Sequence, residues 1–428
     1  MKRRATENTE NKERIEMKKR VLSILLTLLL ACSLFTIGAS AAERFSPYEG
    51  LLRQVLYETW GMGCGTFVDF DGDGQSELIF VRPAKDDRGP IVYVYRAHED
   101  QTSGQYGYET VLYAPFRTVA GGQSEYQVLL VETKSGEPGL MLETAGTNTA
   151  DSPETYRWLI DDYSFVSLYL YRNGRFAQTE AGEAAIWHTA PDGNGNAYFY
   201  PDLSTIRINM QDVSMEQYAA WYEAFNDTLT VYGALSPDGS LGGLSGNELL
   251  SLAVTGFYDA NYTKYYAEPV KWAADKGITN GTSDYVFSPD AACTRAQVVT
   301  FLWRAAGSPA PRSSRNPFRD VQSGAYYYKA VLWAVEQGIT NGTSDTAFSP
   351  NDPCTRAQVV SFLYRSAGSP RVSAANPFRD VTSGKYYYEA VLWAVKNDVT
   401  SGTTATTFSP NDTCTRAQIV TFLYRYLA

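Results

Sequence analysis

Short apolar runs alternate with polar turns through the first half of the chain. Segments such as GTFVDF, ELIFV, YQVLLVE and SLYLYRNGRF are rich in β-branched and aromatic residues and predict strands. The last of them contains Asn173-Gly174, a dipeptide that favours a tight hairpin turn. One helix is predicted around 47 to 59, and another begins at the capping box Ser214-Met215-Glu216-Gln217 and continues to about Phe225. Residues 43 to 240 are therefore predicted to form an α+β module of mostly short antiparallel strands with flanking helices.

The pattern becomes helical after a stretch rich in Gly and Ser at 236 to 247. Three similar segments follow, each with the pentapeptide Cys-Thr-Arg-Ala-Gln, and they are spaced by 61 and 60 residues. In the second segment, apolar positions such as Val331 and Val335 predict a helix that ends at Gly338. Because a fixed period marks stacked supersecondary units, the sequence predicts three helix-loop-helix repeats. The predicted bounds are a linker at 241 to 256 and repeats at 257 to 309, 317 to 370 and 377 to 428.

The pentapeptide has the features of a helix start, with the exception of its arginine. Thr355 is a good N-cap and Gln358 can return the hydrogen bond, whereas Arg356 lies at the first helical position, where the helix dipole disfavours a cation. Together with free N–H groups of the first turn, each guanidinium would form a site for a carboxylate or phosphate. The alternative is that Arg295, Arg356 and Arg416 pair with aspartates of neighbouring repeats.

The amino terminus has the composition of a secretory signal peptide. Lys18-Lys19-Arg20 precede an apolar run of 18 residues, and Ala39-Ser40-Ala41 provides small residues for cleavage. Residues 1 to 42 are therefore predicted to be removed on export, which leaves no membrane association. Two alternatives stay open, namely lipidation at Cys32 and retention of the run as an anchor, since it only just reaches spanning length.

Four cysteines follow this segment, namely Cys64 and one in each repeat. Equivalent positions in successive repeats are expected to lie far apart, so disulfides between them are not expected. We predict buried free thiols that act as small apolar side chains.

Charge differs sharply between the two halves of the chain. Residues 43 to 256 hold 12 Lys and Arg against 30 Asp and Glu, whereas residues 257 to 428 hold 17 against 13. Such asymmetry predicts different partners for the two halves, and we expect nucleic acid to be a partner of neither.

The repeats resemble the S-layer homology (SLH) domain, a module that anchors proteins to bacterial cell walls. The resemblance rests on Phe-Arg-Asp-Val at 318 to 321 and 378 to 381, Trp-Ala in the first helix, Gly-Ile-Thr-Asn-Gly, Phe-Ser-Pro and Thr-Arg-Ala-Gln, which occur in the family's order. It implies a pseudo-threefold spindle of helical repeats whose grooves bind an anionic secondary cell-wall polysaccharide, often bearing pyruvate ketals. The family's glutamate is glutamine in all three repeats, which removes a negative charge from each groove.

The resemblance also implies which residues bind the polysaccharide, with the arginines reading its carboxylates. They are Arg295, Arg356, Arg416, Thr294, Thr355, Gly281, Gly342, Asp284, Asp345, Trp272 and Trp333. The tryptophans have a second interpretation as core residues, because Trp buries a large area and alanine flanks each of them. The third repeat fits the pattern least, since it has Asp398 in place of glycine and Ala405 in place of aspartate.

One motif in the acidic half is chemically specific. Asp69, Asp71, Asp73 and Glu77 occupy positions 1, 3, 5 and 9 of a loop with glycine at position 6, and the carbonyl of Gln75 stands at position 7. Oxygen ligands at this spacing can converge on one hard cation, so we predict a calcium site. The loop resembles the calcium hairpins of FG-GAP and VCBS-type repeats, because strand-like runs flank it. The alternative is a polar turn without metal.

Familiar catalytic motifs are missing from the acidic half. The chain has two histidines, and it contains no H-E-x-x-H, G-x-S-x-G or P-loop sequence. We therefore expect a non-catalytic, wall-anchored surface protein that displays the acidic module outward. An anchored hydrolase that uses a pair of carboxylates and a subunit of an S-layer lattice are the alternatives.

Overall fold

The computed structural model describes residues 45–83, 89–100, 105–116, 123–151, 158–189, 205–236 and 242–428. The chain forms two compact units. Over the described residues, the amino-terminal unit is Pro47–Leu250, and the carboxy-terminal unit is Ser251–Ala428 together with residues 45 and 46. The predicted signal peptide at 1 to 42 lies outside the described residues. Within the described ranges, every helix is too short or too polar to cross a membrane.

Two antiparallel sheets and two α-helices lie wholly within the amino-terminal unit. The helices are α1 (Glu49–Glu58) and α2 (Met215–Asn226). The smaller sheet contains β1 (Cys64–Val68), β2 (Glu77–Arg82), β3 (Ile91–Glu99), β4 (Tyr106–Pro115) and β12 (Leu244–Ser245), in the order β12-β1-β2-β3-β4. The larger sheet contains β5 (Gln123–Thr133), β6 (Pro138–Asp151), β7 (Trp158–Arg172), β8 (Arg175–Thr189), β9 (Thr205–Ile208), β10 (Gln211–Asp212) and β11 (Leu229–Leu235), in the order β10-β9-β8-β7-β6-β5-β11.

The two sheets share an apolar core, because alternate residues of their strands point to the same side. Val81 and Val94 of the smaller sheet belong to the same buried cluster as Leu140 of the larger one. Phe225 of α2 lies in a second buried cluster with residues of β5, β6 and β7. The α+β prediction is confirmed.

The predicted hairpin turn joins β7 to β8. Asn173 and Gly174 have φ values of 52° and 80°, which is the left-handed backbone that a two-residue hairpin turn requires. The capping box at Ser214 is also present and begins α2 as predicted.

The predicted linker at 241 to 256 is not an extended connection. It contains β12, which pairs with β1, and α3 (Gly246–Thr255). Leu249, Leu250, Leu252 and Ala253 on this helix are buried, so burial of an apolar face explains why the segment is helical.

Six helices build the three repeats of the carboxy-terminal unit. They are α4 (Ala267–Asp275), α5 (Arg295–Ala305), α6 (Tyr328–Glu336), α7 (Arg356–Ser366), α8 (Tyr388–Lys396) and α9 (Arg416–Leu427). The first helix of each repeat packs against the second helix of the preceding repeat, so α6 contacts α5, α8 contacts α7, and α4 contacts α9. The last of these pairs closes the three repeats into a pseudo-threefold ring.

The three repeat cysteines meet around this axis, which contradicts the expectation that they lie far apart. The backbone N–H of Cys293 donates to the carbonyl of Cys414 (3.0 Å), that of Cys354 to Cys293 (2.8 Å), and that of Cys414 to Cys354 (2.9 Å). The thiols are nevertheless free and fully buried, as predicted, and burial raises the pKa of Cys354 and Cys414 to about 12. The expectation failed because it treated the repeats as a linear stack rather than a closed ring.

Candidate functional site

Each second helix of a repeat begins with the predicted capping box. Thr294 has an extended backbone (φ −79°, ψ 160°), and its side chain accepts a hydrogen bond from the N–H of Gln297, whose side chain bonds the N–H of Thr294. Thr355 and Thr415 do the same in the other two repeats. The arginine therefore occupies the first helical position in all three.

The three arginines are buried between repeats. Arg295, Arg356 and Arg416 are 3, 4 and 2% exposed. Their Nε atoms donate to backbone carbonyls of the following repeat in the ring, at Phe348 (2.9 Å), Phe408 (2.9 Å) and Phe287 (2.8 Å) respectively. We call these three contacts the arginine bonds. Burial lowers the pKa of each guanidinium, since a low dielectric disfavours the charged form.

Aromatic rings cover the guanidinium groups. In the first repeat, the central carbon of the Arg295 guanidinium lies 4.9 Å from the ring centroid of Phe348 and 5.3 Å from that of Phe362. Its Nη2 atom is buried and has no hydrogen-bond partner. A buried cation tolerates such surroundings because the faces of the rings attract it.

The backbone N–H groups at the helix start are occupied, so the prediction of free donors there is wrong. The N–H of Arg295 donates to the carbonyl of Asp352 (3.0 Å) and that of Ala296 to Pro350 (3.0 Å), and the other two repeats repeat the pattern. Among the described residues, these arginines also form no ion pair with a carboxylate. Neither interpretation of the arginine anticipated its bond to a carbonyl of another repeat.

Sequence reasoning missed a group of aspartates that bind the Phe-Ser dipeptides. The phenylalanine of each dipeptide provides the carbonyl that accepts an arginine bond. In the second repeat, the carboxylate of Asp320 accepts hydrogen bonds from the N–H groups of Phe348 (2.9 Å) and Ser349 (2.7 Å). Ser349 has a φ of 56°, and Asp259 and Asp380 make the matching contacts in their repeats. The signal was present in the sequence, since each aspartate precedes the phenylalanine it binds by 28 residues.

The predicted glycines have backbone roles. Gly281 and Gly342 have φ values of 82° and 84°, and a Cβ on Gly342 would lie 2.5 Å from the carbonyl oxygen of Ala347. Asp284 and Asp345 are exposed on the turns that follow. In the third repeat, Asp398 keeps the left-handed backbone that glycine has elsewhere, with a φ of 57°.

The tryptophans are partly or wholly internal. Trp333 is 8% exposed and belongs to the buried cluster of the unit, which favours the core interpretation. Trp272 is half-buried against that cluster, and its ring meets the ring of Tyr424 edge to face at 5.6 Å.

An open, polar cleft of about 640 Å³ lies in the third repeat. It is lined by Asp380, Thr382, Lys385, Tyr386, Tyr387, Ser409, Pro410, Asn411 and Asp412. The N–H groups of Arg356 and Ala357 donate to the carbonyls of Asp412 and Pro410, so the cleft adjoins the start of α7.

The predicted calcium loop brings three carboxylates together in the amino-terminal unit. Oxygens of Asp69, Asp71 and Asp73 lie within 4.8 Å of one another, between β1 and β2. Glu77 is turned toward Arg96, with 3.0 Å between its carboxylate and the guanidinium, and burial raises its pKa. The N–H of Gln75 donates to the side chain of Asp73. The guanidinium of Arg96 also lies 3.5 Å from the carboxylate of Asp71, so an internal cation already faces both Glu77 and Asp71. The three aspartates still offer the oxygen ligands that a hard cation prefers.

Comparison with known proteins agrees with the repeat geometry. Residues 257–299, 317–360 and 377–420 each match the S-layer homology domain. The chain is 31% identical over 156 residues (36% of its length) to the surface-layer 125 kDa protein of Lysinibacillus sphaericus, and 32% identical over 114 residues (27%) to an endoglucanase of Bacillus sp. strain KSM-635. It is 25% identical over 171 residues (39%) to an S-layer protein of Bacillus thuringiensis subsp. finitimus.

These matches cover 13, 12 and 21% of the three relatives, so the chain spans a small part of each. The glycosidase matches lie at the repeats, so they carry no information on catalysis by the amino-terminal unit. The closed ring, the repeated helix starts and the matched segments together identify three S-layer homology domains in a secreted cell-surface protein.

Proposed function

We propose that the carboxy-terminal unit anchors the protein non-covalently to an anionic, pyruvylated cell-wall polysaccharide. The observation that carries this proposal is the presence of three S-layer homology domains closed into one ring, in the half of the chain with excess positive charge. The polar cleft supports it, because hydroxyl, amide and ammonium groups that line one cavity suit a charged sugar. The acidic unit would then be displayed outward from the wall.

In this proposal Arg295, Arg356 and Arg416 contribute positive charge from beneath the binding surface. Because the three side chains are buried, they cannot contact a ligand directly unless they move. A buried charge is screened less by salt than an exposed one, so it still acts on an anion nearby. Thr294, Thr355, Gly281 and Gly342 shape the backbone around them.

We also propose that Asp69, Asp71 and Asp73 hold a calcium ion that stiffens the turn between β1 and β2. The convergence of their oxygens supports this role. No catalytic role is assigned to the acidic unit. A lattice role is the alternative that the surface-layer relatives favour, and ordered two-dimensional arrays formed by the purified protein would support it.

Co-sedimentation tests the anchoring proposal. Mature protein should sediment with purified wall sacculi and remain in the supernatant with sacculi from which the secondary polysaccharide has been extracted. Mild acid, which removes pyruvate ketals, should weaken binding without releasing the polymer. Equal retention by intact and extracted sacculi would contradict the proposal.

A further inference from the structure

One of the three interfaces in the ring joins repeats that are not consecutive in the chain. Residues 310–316 connect the first repeat to the second and residues 371–376 connect the second to the third, whereas the third repeat meets the first without a short connection. There the N–H groups of residues 416 and 417 donate to the carbonyls of Ala291 and Pro289, both at 3.0 Å. The arginine bond from Arg416 to Phe287 completes this set of contacts, which we call the closing interface.

The closing interface loses more chain entropy on formation than the other two. Its arginine bond joins residues 129 positions apart, whereas the other arginine bonds join residues 53 and 52 positions apart. The entropy lost when two segments come together increases with the length of chain between them. The ring is therefore expected to open first at the closing interface, unless a further contact stabilises it.

A further contact is present in the first repeat. Phe45 is 3% exposed, and its ring meets the ring of Tyr285 edge to face, with 5.3 Å between the centroids. Tyr285 lies two residues before Phe287, whose carbonyl accepts the arginine bond of the closing interface. Residues 45 and 46 thus belong to the carboxy-terminal unit, although they precede the amino-terminal unit in the chain.

The first repeat differs from the other two at the residue that Phe45 contacts. The positions that match Tyr285 are Thr346 and Thr406, and both threonines are exposed. Of these three residues, Tyr285 alone has a left-handed backbone, with a φ of 59°. That conformation is unfavourable for a bulky side chain, so a compensating contact is needed, and the ring of Phe45 provides one.

We infer that Phe45 stabilises the closing interface by fixing the turn that contains Tyr285 and Phe287. Burial of a phenylalanine ring against this turn offsets part of the entropy that closure of the ring loses. The contact also fixes the backbone of Tyr285, and with it the direction of the Phe287 carbonyl two residues later. A segment that precedes the amino-terminal unit therefore compensates for the missing connection between the third repeat and the first.

Hydrogen exchange of the full mature protein, measured by mass spectrometry with fragmentation to single residues, tests this inference. Phe45→Ala should increase the exchange rates of the N–H groups of Arg416 and Ala417 by about tenfold or more, because opening of the closing interface exposes them to water. The N–H groups of residues 295–296 and 356–357 form the same bonds at the other two interfaces. They are the internal controls and should exchange as in the wild type.

Matched variants separate this contact from a general loss of stability. Tyr285→Thr introduces the residue of the other repeats and should have the same local effect as Phe45→Ala. The double variant should add little, because the effects of two residues in contact are not additive. Thr346→Ala changes the matching, exposed position of the second repeat and should leave exchange at residues 416 and 417 unchanged. If Phe45→Ala does not fold, Phe45→Leu retains most of the apolar volume and should show a smaller increase at the same two residues.

The location of the change decides the outcome. Faster exchange confined to the closing interface supports the inference. Unchanged exchange at residues 416 and 417 in the Phe45 variants overturns it. An equal increase at all three interfaces also overturns it, because Phe45 would then stabilise the whole ring rather than the point where the ring closes. Fully additive effects of Phe45→Ala and Tyr285→Thr would show that the two residues act independently, which contradicts the assigned contact.

Discussion

Replacement of Arg416 by alanine should open the ring where the third repeat meets the first. The Nε atom of Arg416 donates to the carbonyl of Phe287, which lies 129 residues earlier in the chain. The guanidinium carbon also lies 4.8 Å from the ring centroid of Phe287 and 5.4 Å from that of Phe301. The alanine variant loses all three contacts and leaves a buried carbonyl without its partner.

The expected loss of stability follows from these contacts. A hydrogen bond from a charged donor is worth about 1.5–3 kcal/mol, and a desolvated cation–π contact about 2 kcal/mol. Removal of the buried charge relieves a desolvation penalty that offsets part of this sum. We expect a net loss of about 2–4 kcal/mol, which corresponds to about 5–15 °C in the melting temperature of a unit of this size.

Circular dichroism of the mature protein during heating measures this effect. Arg371→Ala is the matched control, because Arg371 is an exposed arginine of the same unit and its loss should change the melting temperature little. Arg416→Lys should also be destabilised, since lysine keeps the charge but not the position of Nε. If Arg416→Ala melts like wild type and yet loses its affinity for sacculi, the arginine is a binding residue and the arginine bonds contribute little to stability.

Three further predictions concern other parts of the molecule. Calcium should raise the melting temperature of the amino-terminal unit, and Asp71→Ala should abolish this shift whereas Asp227→Ala, outside the loop, should not. Gly342→Ala should lower the free energy of unfolding in urea by about 2 kcal/mol or more, because its Cβ would lie 2.5 Å from a carbonyl oxygen. Gly338→Ala should lower it by about 1 kcal/mol, because the space around Gly338 is open. Burial raises the pKa of Glu143 in the folded state, so the native protein binds this proton more tightly than the unfolded chain does, and the amino-terminal unit should lose stability as pH rises through that pKa. Urea unfolding between pH 4 and 8 should show that the free energy of unfolding falls less steeply with pH in Glu143→Gln than in the wild type. Identical pH profiles of the two proteins would contradict this prediction.

Local signals predicted the local structure correctly. The capping boxes at Thr294, Thr355 and Ser214 involve residues three positions apart, so the sequence contains both partners of each hydrogen bond. The turn at Asn173 and Gly174 needs only the left-handed backbone that these two residues adopt readily. Such features depend on a few neighbouring residues and can be identified from the sequence alone.

Contacts between distant residues could not be predicted in the same way. The arginine bonds join residues 52 to 129 positions apart, and β1 pairs with β12 through Cys64 and Ser245. Each follows from closure of a ring or a sheet, which is a property of the whole unit. The cysteines show the same limit, because only closure of the ring brings Cys293 next to Cys414.

A repeated cation at a helix start therefore has a physical explanation that does not require a ligand. The cost of placing Arg356 against the helix dipole, several tenths of a kcal/mol, is smaller than the gain from one buried, charge-assisted hydrogen bond. Because each repeat supplies the arginine for the next, no repeat has its full set of contacts alone, and three are the number that closes the ring. Side chains outside this framework can differ between repeats without weakening the fold, as Lys264, Ala325 and Lys385 do.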